Sequence, residues 1–333
     1  MTNPSNRLGF WGTIPRPIFV LAPMADVTDA AFRYIIAKYG KPSVLMTEFV
    51  SVDGLCSRGR EALIRTLKFD EIERPVVAQF FGEKPENFYT CAQLAAELGF
   101  DGIDINMGCP VKTVVKTGSG AALIKTPELA KEIVRETKRG AGGLPVSVKT
   151  RIGYNKIVVE EWVSHLLEAE PALITLHLRT AKEMSLVDAH WEVIDRAVDL
   201  IRKTDTLILG NGDVKNMAQA RELVAEKKID GIMFGRAIFG NPWLFADEKT
   251  PHATDIDHRF SVMMEHAHLY LKMFEGKKNF AIMQKHLRAY VSGFTGAKEL
   301  RIRMEGMKTI EELEEILNNF RSELANSPLP ADQ

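Results

Sequence analysis

From Ile18 onward, short runs rich in β-branched and aromatic residues alternate with stretches whose apolar residues fall at helical intervals. The repeat is roughly thirty residues, the length of a βα unit. The strand-like runs are IFVLAPM (18–24), VLMTEFV (44–50), PVVAQFF (75–81), GIDINM (102–107), PVSVKTRI (145–152), ALITLHL (172–178), TLILGNG (206–212) and GIMFGRA (231–237). Between them lie DAAFRYIIAKYG, ENFYTCAQLAAELG, PELAKEIVRETKRG, VEEWVSHLLEAE and NMAQARELVAEKK, several ending on Gly or a basic residue as helix C-termini do. Strands alternating with helices, with no long antiparallel block, predict an α/β chain folded as a (β/α)8 TIM barrel rather than a doubly wound sheet.

After Trp243 the pattern changes. The polar, turn-rich stretch 246–258 reads as a linker. Beyond it only helical patterns follow, RFSVMMEHAHLYLKMFEG, NFAIMQKHLRAYVSGF and IEELEEILNNFRSEL, which predict a small all-helical domain over 259–325 behind a barrel domain over 1–245. Residues 326–333, with Pro328 and Pro330, read as a frayed end.

Composition changes this picture little. Hydrophobic residues at 45% and charged residues at 26% describe a soluble globular protein, and a net charge of −1 argues against a wholesale polyanion binder while leaving room for a local basic face. The three cysteines, Cys56, Cys91 and Cys109, form neither a disulfide framework nor a metal-ligand spacing, so no metal is expected. Cys91 reads as core and Cys56 carries no evident role. No signal peptide and no apolar run of transmembrane length are seen, which points to the cytoplasm and away from a membrane.

Candidate chemistry gathers at the carboxyl ends of the strands, where a barrel places it. Those ends carry Pro23, Met24 and Ala25; Glu48; Gln79; Asn106 and then Cys109; Lys149 and Arg151; His177 and Arg179; Asn211, Gly212 and Asp213; and Gly235 with Arg236. Each has a plain structural reading. Cys109 could be a small buried hydrophobe, Lys149 half of an internal ion pair, His177 a core hydrogen-bonding residue, and Asn211-Gly212 only a tight turn. Their clustering at one end of one layer favours a site. Cys109 sits on the Gly-rich, basic loop Gly108–Gly120 with Lys112 and Lys116, and a helix is expected to resume near Ala121. Gly210-Asn211-Gly212 and Gly235 follow strands seven and eight, where barrels bind phosphate through backbone N–H groups, and Arg236 can add a charged fork. With Gln79 and Lys149 further round the rim, the arrangement suits FMN better than NAD as a resident cofactor, the lysine stabilising charge on the reduced ring.

The segment DINMGCPVKTVVKTGSGAAL (104–123), supported in order by LAPMADVTDAAFR, VAQFFG, SVKTRIG, LHLRT, NGD and GRAIFGNPW, resembles the tRNA-dihydrouridine synthase (Dus) family across nearly the whole chain. The resemblance implies a flavoenzyme that reduces selected uridines of tRNA, with Cys109 as catalytic acid. It implies FMN contacts from Pro23, Met24, Ala25, Gln79, Lys149, His177, Asn211, Gly212, Asp213, Gly235 and Arg236, and NADPH or NADH as reductant. It also implies that the helical tail helps to grip tRNA. Lys285-His286 looks like the Lys-His pair of the bacterial B-type branch, and the enzyme is expected to be a monomer. Further substrate contacts fall to Asn106, Lys112, Arg151 and Arg179 at the mouth and to Arg288, Arg301 and Arg303 in the tail. The chain departs from the family at His177-Leu178-Arg179-Thr180, where H-G-R-T is usual, and in the order of small residues over Thr117–Gly120.

The implied chemistry is hydride transfer from reduced flavin N5 to uracil C6, with a proton delivered to C5 by a thiol that is mostly protonated at neutral pH. The target base must leave its stack to reach the flavin. Two other readings are a flavin barrel reductase of a small molecule, such as a dihydroorotate-dehydrogenase-like enzyme, and a non-catalytic RNA-binding protein. A small substrate gives the helical tail no task, and a colourless protein that takes up no FMN would favour the last.

Overall fold

The β-branched runs pair side by side, in parallel, and close on themselves. The structure, a computed structural model, describes residues 7–246, 255–275 and 277–326. Its strands are β1 (Ile18–Leu21), β2 (Leu45–Met46), β3 (Val50–Ser51), β4 (Val76–Phe81), β5 (Gly102–Met107), β6 (Val146–Arg151), β7 (Leu173–His177), β8 (Leu207–Asn211) and β9 (Gly231–Phe234). Their order is β1-β9-β8-β7-β6-β5-β4-β2, with β3 on the end of β4. A bridge between Val20 and Val44, with Ser43 N–H donating to Phe19 O at 2.8 Å and Leu21 N–H to Val44 O at 3.2 Å, brings the first strand back to the second. The expected (β/α)8 barrel is therefore present, and every strand run read from the sequence contributes to it.

The second run differs from expectation: it splits into β2 and β3. Thr47 still donates its N–H to Val77 O at 3.0 Å, but its hydroxyl accepts from Gln79 N–H at 3.1 Å, taking the place of a main-chain acceptor. Glu48 turns aside to accept the Asp26 N–H at 2.5 Å. The Thr47 hydroxyl thus stands in for one main-chain acceptor where the ladder breaks between Met46 and Val50, a local competition that Thr oxygens can win. Nor does a helix resume at Ala121. A 3-10 stretch, Gly120–Lys125, comes first, and the helix Pro127–Gly140 begins only after Thr126, with Pro at its first position.

The interior of the barrel divides by strand. Ile18, Val20, Ala22, Val44, Met46, Val77, Leu173, Leu207, Leu209 and Met233 form one apolar cluster with the wholly buried Trp11. Trp11 belongs to a 3-10 turn, Gly9–Gly12, laid across the amino ends of the strands, and a Cβ on Gly102 at the start of β5 would come within 3.0 Å of Phe10. The strands β4, β5 and β6 instead turn Gln79, Asp104 and Ser147 inward, all of them buried.

The chain divides into two compact units. One holds the described residues up to Ala37 together with Lys41–Ala237; the other holds Lys38–Gly40 and the described residues from Ile238 on. In the second unit the helices Ile256–Phe274, Gln284–Tyr290, Ala297–Arg303 and Ile310–Asn326 bury Phe260, Met263, Tyr270, Leu287, Leu300, Leu313 and Leu317. Asp255 caps the first of these helices, accepting from Asp257 N–H at 2.9 Å. Lys38 and Tyr39 both bond Glu265, at 2.6 and 2.5 Å, which ties these residues into the helical unit. Of the expected linker, 247–254 lie outside the described residues, as do 327–333 of the expected frayed end.

Candidate active site at the carboxyl mouth of the barrel

A cavity of about 290 Å³ opens where the strands end. Its walls bring together Pro23, Met24, Lys149, His177, Asn211, Gly212, Asp213, Gly235 and Arg236, nine of the residues expected to hold a cofactor, together with Arg179, Ser185 and Met233. Ladder register explains the convergence. Arg151 pairs with His177, His177 with Asn211 and Asn211 with Met233, so residues on four strands share one level and one face. Two expected cofactor residues stand apart. Ala25 lies exposed on the loop after β1, and Gln79 is fully buried beneath the mouth.

The loop after β1 is fixed from below. Met24 N–H donates to Thr28 Oγ1 at 2.9 Å, and the Arg33 guanidinium donates to Thr28 O at 2.7 Å. Arg33 also meets Glu73 at 2.6 Å with both side chains wholly buried. Breaking such a pair by removing one partner typically costs about 3–5 kcal/mol.

Gln79 anchors a buried relay. Ser147 Oγ donates to Asp104 Oδ1 at 2.5 Å and Gln79 Nε2 to Asp104 Oδ2 at 2.6 Å. Asn106 Nδ2 then donates to Gln79 Oε1 at 3.0 Å, which leaves Asn106 Oδ1 to accept from Gly108 N–H at 3.1 Å and Cys109 N–H at 2.9 Å. A carboxylate in the barrel thereby sets the position of the cysteine loop. Gly120 closes that loop from the other side. Its φ is +60°, and a Cβ there would come within 2.7 Å of Cys109 O.

Charge at the mouth is dense and its consequences differ by group. Lys149 Nζ donates to Asn211 Oδ1 at 3.2 Å, while Asn211 Nδ2 donates to Met233 O at 2.8 Å. Burial, reinforced by Arg151, pulls the Lys149 ammonium down to about 8. Burial pushes the Asp104 carboxyl up to about 6, against its hydrogen bonds and Lys149. The His177 ring is held neutral by burial and by Lys149, Arg151 and Arg179. Arg179 Nη1 lies 3.1 Å from His177 Nε2, and a guanidinium can only donate, so Nε2 accepts and the ring proton sits on Nδ1. For Cys109, burial outweighs the opposing pull of Arg151 and Lys149, so the thiol stays above its ordinary value.

The structure turns several expected nucleic-acid contacts inward. Arg151, 6% exposed, donates to Gly108 O at 2.8 Å and to Thr180 O and Met184 O at 2.9 Å. It therefore clamps the cysteine loop to the loop after β7. Arg179, 3% exposed, bonds Val187 O at 2.7 Å and the Asp213 carboxylate. Asp213 also accepts from Arg236 at 2.7 Å and from Ala189 N–H at 2.9 Å. Burial alone would raise the Asp213 carboxyl, but these donors hold it low. His286 is 2% exposed, its ring 5.9 Å from Phe239 and 5.3 Å from His266. Buried guanidinium groups that satisfy main-chain carbonyls are positioning groups, and a stacked core ring offers no face to RNA. Arg301 donates to Val291 O at 2.6 Å, and Arg303 donates two hydrogen bonds to the Glu323 carboxylate at 2.7 and 2.8 Å. Lys112 and Lys285 are exposed, Arg288 partly so.

Sequence reading passed over Asp104, Ser147 and Trp191. For Asp104 a signal existed, since Ile103 and Ile105 already put it on the opposite face. Trp191 had none: it donates to Gly212 O at 3.0 Å and lies over Gly210, where a Cβ would come within 2.6 Å of its ring. Among the described residues, no group of three or more His, Cys, Asp or Glu side chains could hold a metal ion, and no helix is long and apolar enough to cross a membrane.

Comparison with known proteins follows the same lines. The family model for dihydrouridine synthases (Dus) matches residues 20–326. A probable tRNA-dihydrouridine synthase of Staphylococcus aureus (strain COL) is 44% identical over 269 residues, covering 80% of each chain. A probable tRNA-dihydrouridine synthase 2 of Bacillus subtilis (strain 168) is 46% identical over 249 residues, 74% of this chain and 76% of that one. Among solved structures, a complex of 2-naphthoyl-CoA reductase with 2-naphthoyl-CoA shares the fold at a TM-score of 0.54 and 12% identity, with 68% of this chain and 49% of that chain covered.

Proposed function

The chain belongs to the dihydrouridine synthase family, and on that premise we propose that it is an FMN-dependent tRNA-dihydrouridine synthase that takes its electrons from NADPH or NADH. The observation that carries the reading is the thiol of Cys109. It is kept protonated by burial, carried on main chain that the Asn106 relay holds, and close enough to Lys149 and Arg151 to feel their charges.

The residues present fit a flavin mononucleotide. At Gly235 a Cβ would meet nothing within 4 Å, so a phosphate can approach the backbone there beside Gly212 and the Arg236 guanidinium. Pro23, Met24 and Met233 supply apolar surface for a flat ring, and Lys149 and Asn211 supply polar groups for its pyrimidine edge. When bound and reduced, the flavin provides the hydride that enters uracil at C6. Charge then develops over C5 and O4 of the base, and the Cys109 Sγ–H gives its proton to C5. Lys149 and Arg151 favour that developing charge, while the Asn106 relay holds the main chain that carries the thiol.

The helical unit supports tRNA as substrate, with exposed Lys285 and Lys298 available for phosphates. The division of labour is a barrel domain for chemistry, a helical domain for grip, and an extruded uridine between stack and flavin. Mapping dihydrouridine in tRNA from cells with and without this protein tests the proposal. Loss of the modification at defined positions is expected, and an unchanged map would sink it.

A further inference from the structure

Cys56 and Cys91, which the proposed reaction leaves unused, lie together on the outer side of β4. Their sulfurs are 4.0 Å apart. Cys56 ends the short helix Val52–Leu55 and is exposed, whereas Cys91 lies on the helix Pro85–Glu97 and is 1% exposed. The two elements are already tied: Asn87 Nδ2 donates to Asp53 Oδ1 at 2.6 Å, and Cys91 Sγ–H donates at 3.8 Å to Val52 O, the carbonyl that also accepts the Cys56 N–H within its own helix.

We propose that Cys56 and Cys91 are a reversible thiol–disulfide pair, a modification site for hydroperoxides that is separate from Cys109. The asymmetry of exposure assigns the roles. The Cys56 thiolate attacks the peroxide, the O–O bond breaks, and Cys56 becomes a sulfenic acid as hydroxide leaves and takes up a proton. The Cys91 sulfur then attacks the Cys56 sulfur, the S–O bond breaks, and the hydroxyl departs as water carrying the Cys91 proton. Two thiols lose two electrons and one peroxide becomes two hydroxyl products. Burial and the neighbouring Cys56 hold the Cys91 thiol high, which keeps it as the resolving group rather than the first to react. A disulfide needs the sulfurs at about 2.05 Å. The sulfurs stand 4.0 Å apart, so closing the bond requires them to approach by about 2 Å, and the exposed Cys56 side chain is the freer of the two to move.

The test treats the full-length protein with near-stoichiometric hydrogen peroxide, alkylates the remaining thiols and maps peptides by mass. A linked Cys56–Cys91 pair is expected, about 2 Da lighter than its two reduced peptides and lost on adding dithiothreitol. Cys109 should stay alkylated. In Cys91→Ser, dimedone should trap a Cys56 sulfenic acid that it fails to trap in the unaltered protein. Cys56 and Cys91 both remaining alkylatable, Cys56 passing to sulfinic acid beside a reduced Cys91, or a link to Cys109 would each overturn the pairing. If Cys91→Ser fails to fold, the peptide map of the unaltered protein decides alone.

Discussion

A carboxylate can only accept hydrogen bonds, and at Asp104 that limitation orients two amides and a loop. Because Asp104 takes the Gln79 NH2, Gln79 must offer its oxygen to Asn106, and Asn106 must offer its own to the Cys109 N–H. Asp104→Asn removes the constraint, since an amide can present either end. Turnover is expected to fall by about 10- to 100-fold, as for small misplacements of a reacting group. Flavin occupancy should stay near normal. Single-turnover rates with saturating flavin would check this, and an unchanged rate would remove Asp104 from the positioning chain. Lys149 gives a pH prediction at the same scale. Its ammonium titrates near 8, so it is charged below that pH and neutral above. Flavin affinity should therefore weaken as pH rises through about 8, measured by quenching of flavin fluorescence. Asp104→Asn, which removes a nearby negative charge, should move that midpoint lower.

At the scale of elements, much of the mouth was legible because strand ends are legible. Lys149, His177, Asn211 and Gly212 close apolar runs whose alternation assigns them a side, and the fold brings them to one cavity. What escaped was the direction of the long side chains. Sequence alone cannot say whether a guanidinium after a strand meets a phosphate or a carbonyl, and Arg151 and Arg179 meet carbonyls. The split between β2 and β3 escaped for a related reason: Thr47 and Glu48 look like strand residues, and only their partners show that the ladder breaks there, with the Thr47 hydroxyl standing in for a main-chain acceptor. Arg151 joins two loops through three main-chain oxygens, so Arg151→Lys keeps the charge but loses the fork. Its turnover is expected to drop by about tenfold or more with little change in tRNA affinity. Weaker tRNA binding with an unaltered chemical step would instead make Arg151 a substrate contact.

For the molecule as a whole, a net charge of −1 gives no hint of a polyanion partner, so any grip on tRNA must come from the placement of a few cations. Lys285 is exposed on the helix Gln284–Tyr290, whereas Arg303 is held by Glu323 and His286 is inside. Lys285→Ala should lower the slope of log affinity against log salt by roughly 0.7–0.9, one phosphate's worth, while His286→Ala should leave the slope unchanged and weaken the fold. Filter binding of tRNA across a salt series reads both. Helix content in the tail was legible from its periodicity. Which cations stay in solvent was not, because exposure depends on how the helices rotate about their axes.

The tryptophan at position 11 precedes the span over which family likeness is detected, which begins at residue 20. Boundaries drawn by likeness alone would discard it and leave a hollow beneath Val20, Leu173 and Leu207 for water to enter. Trp11→Ala should cost about 3–5 kcal/mol in urea unfolding, the usual toll for emptying an aromatic site, with flavin affinity little altered at the far end of the same strands. A residue outside the matched span is, physically, the floor on which the matched strands rest.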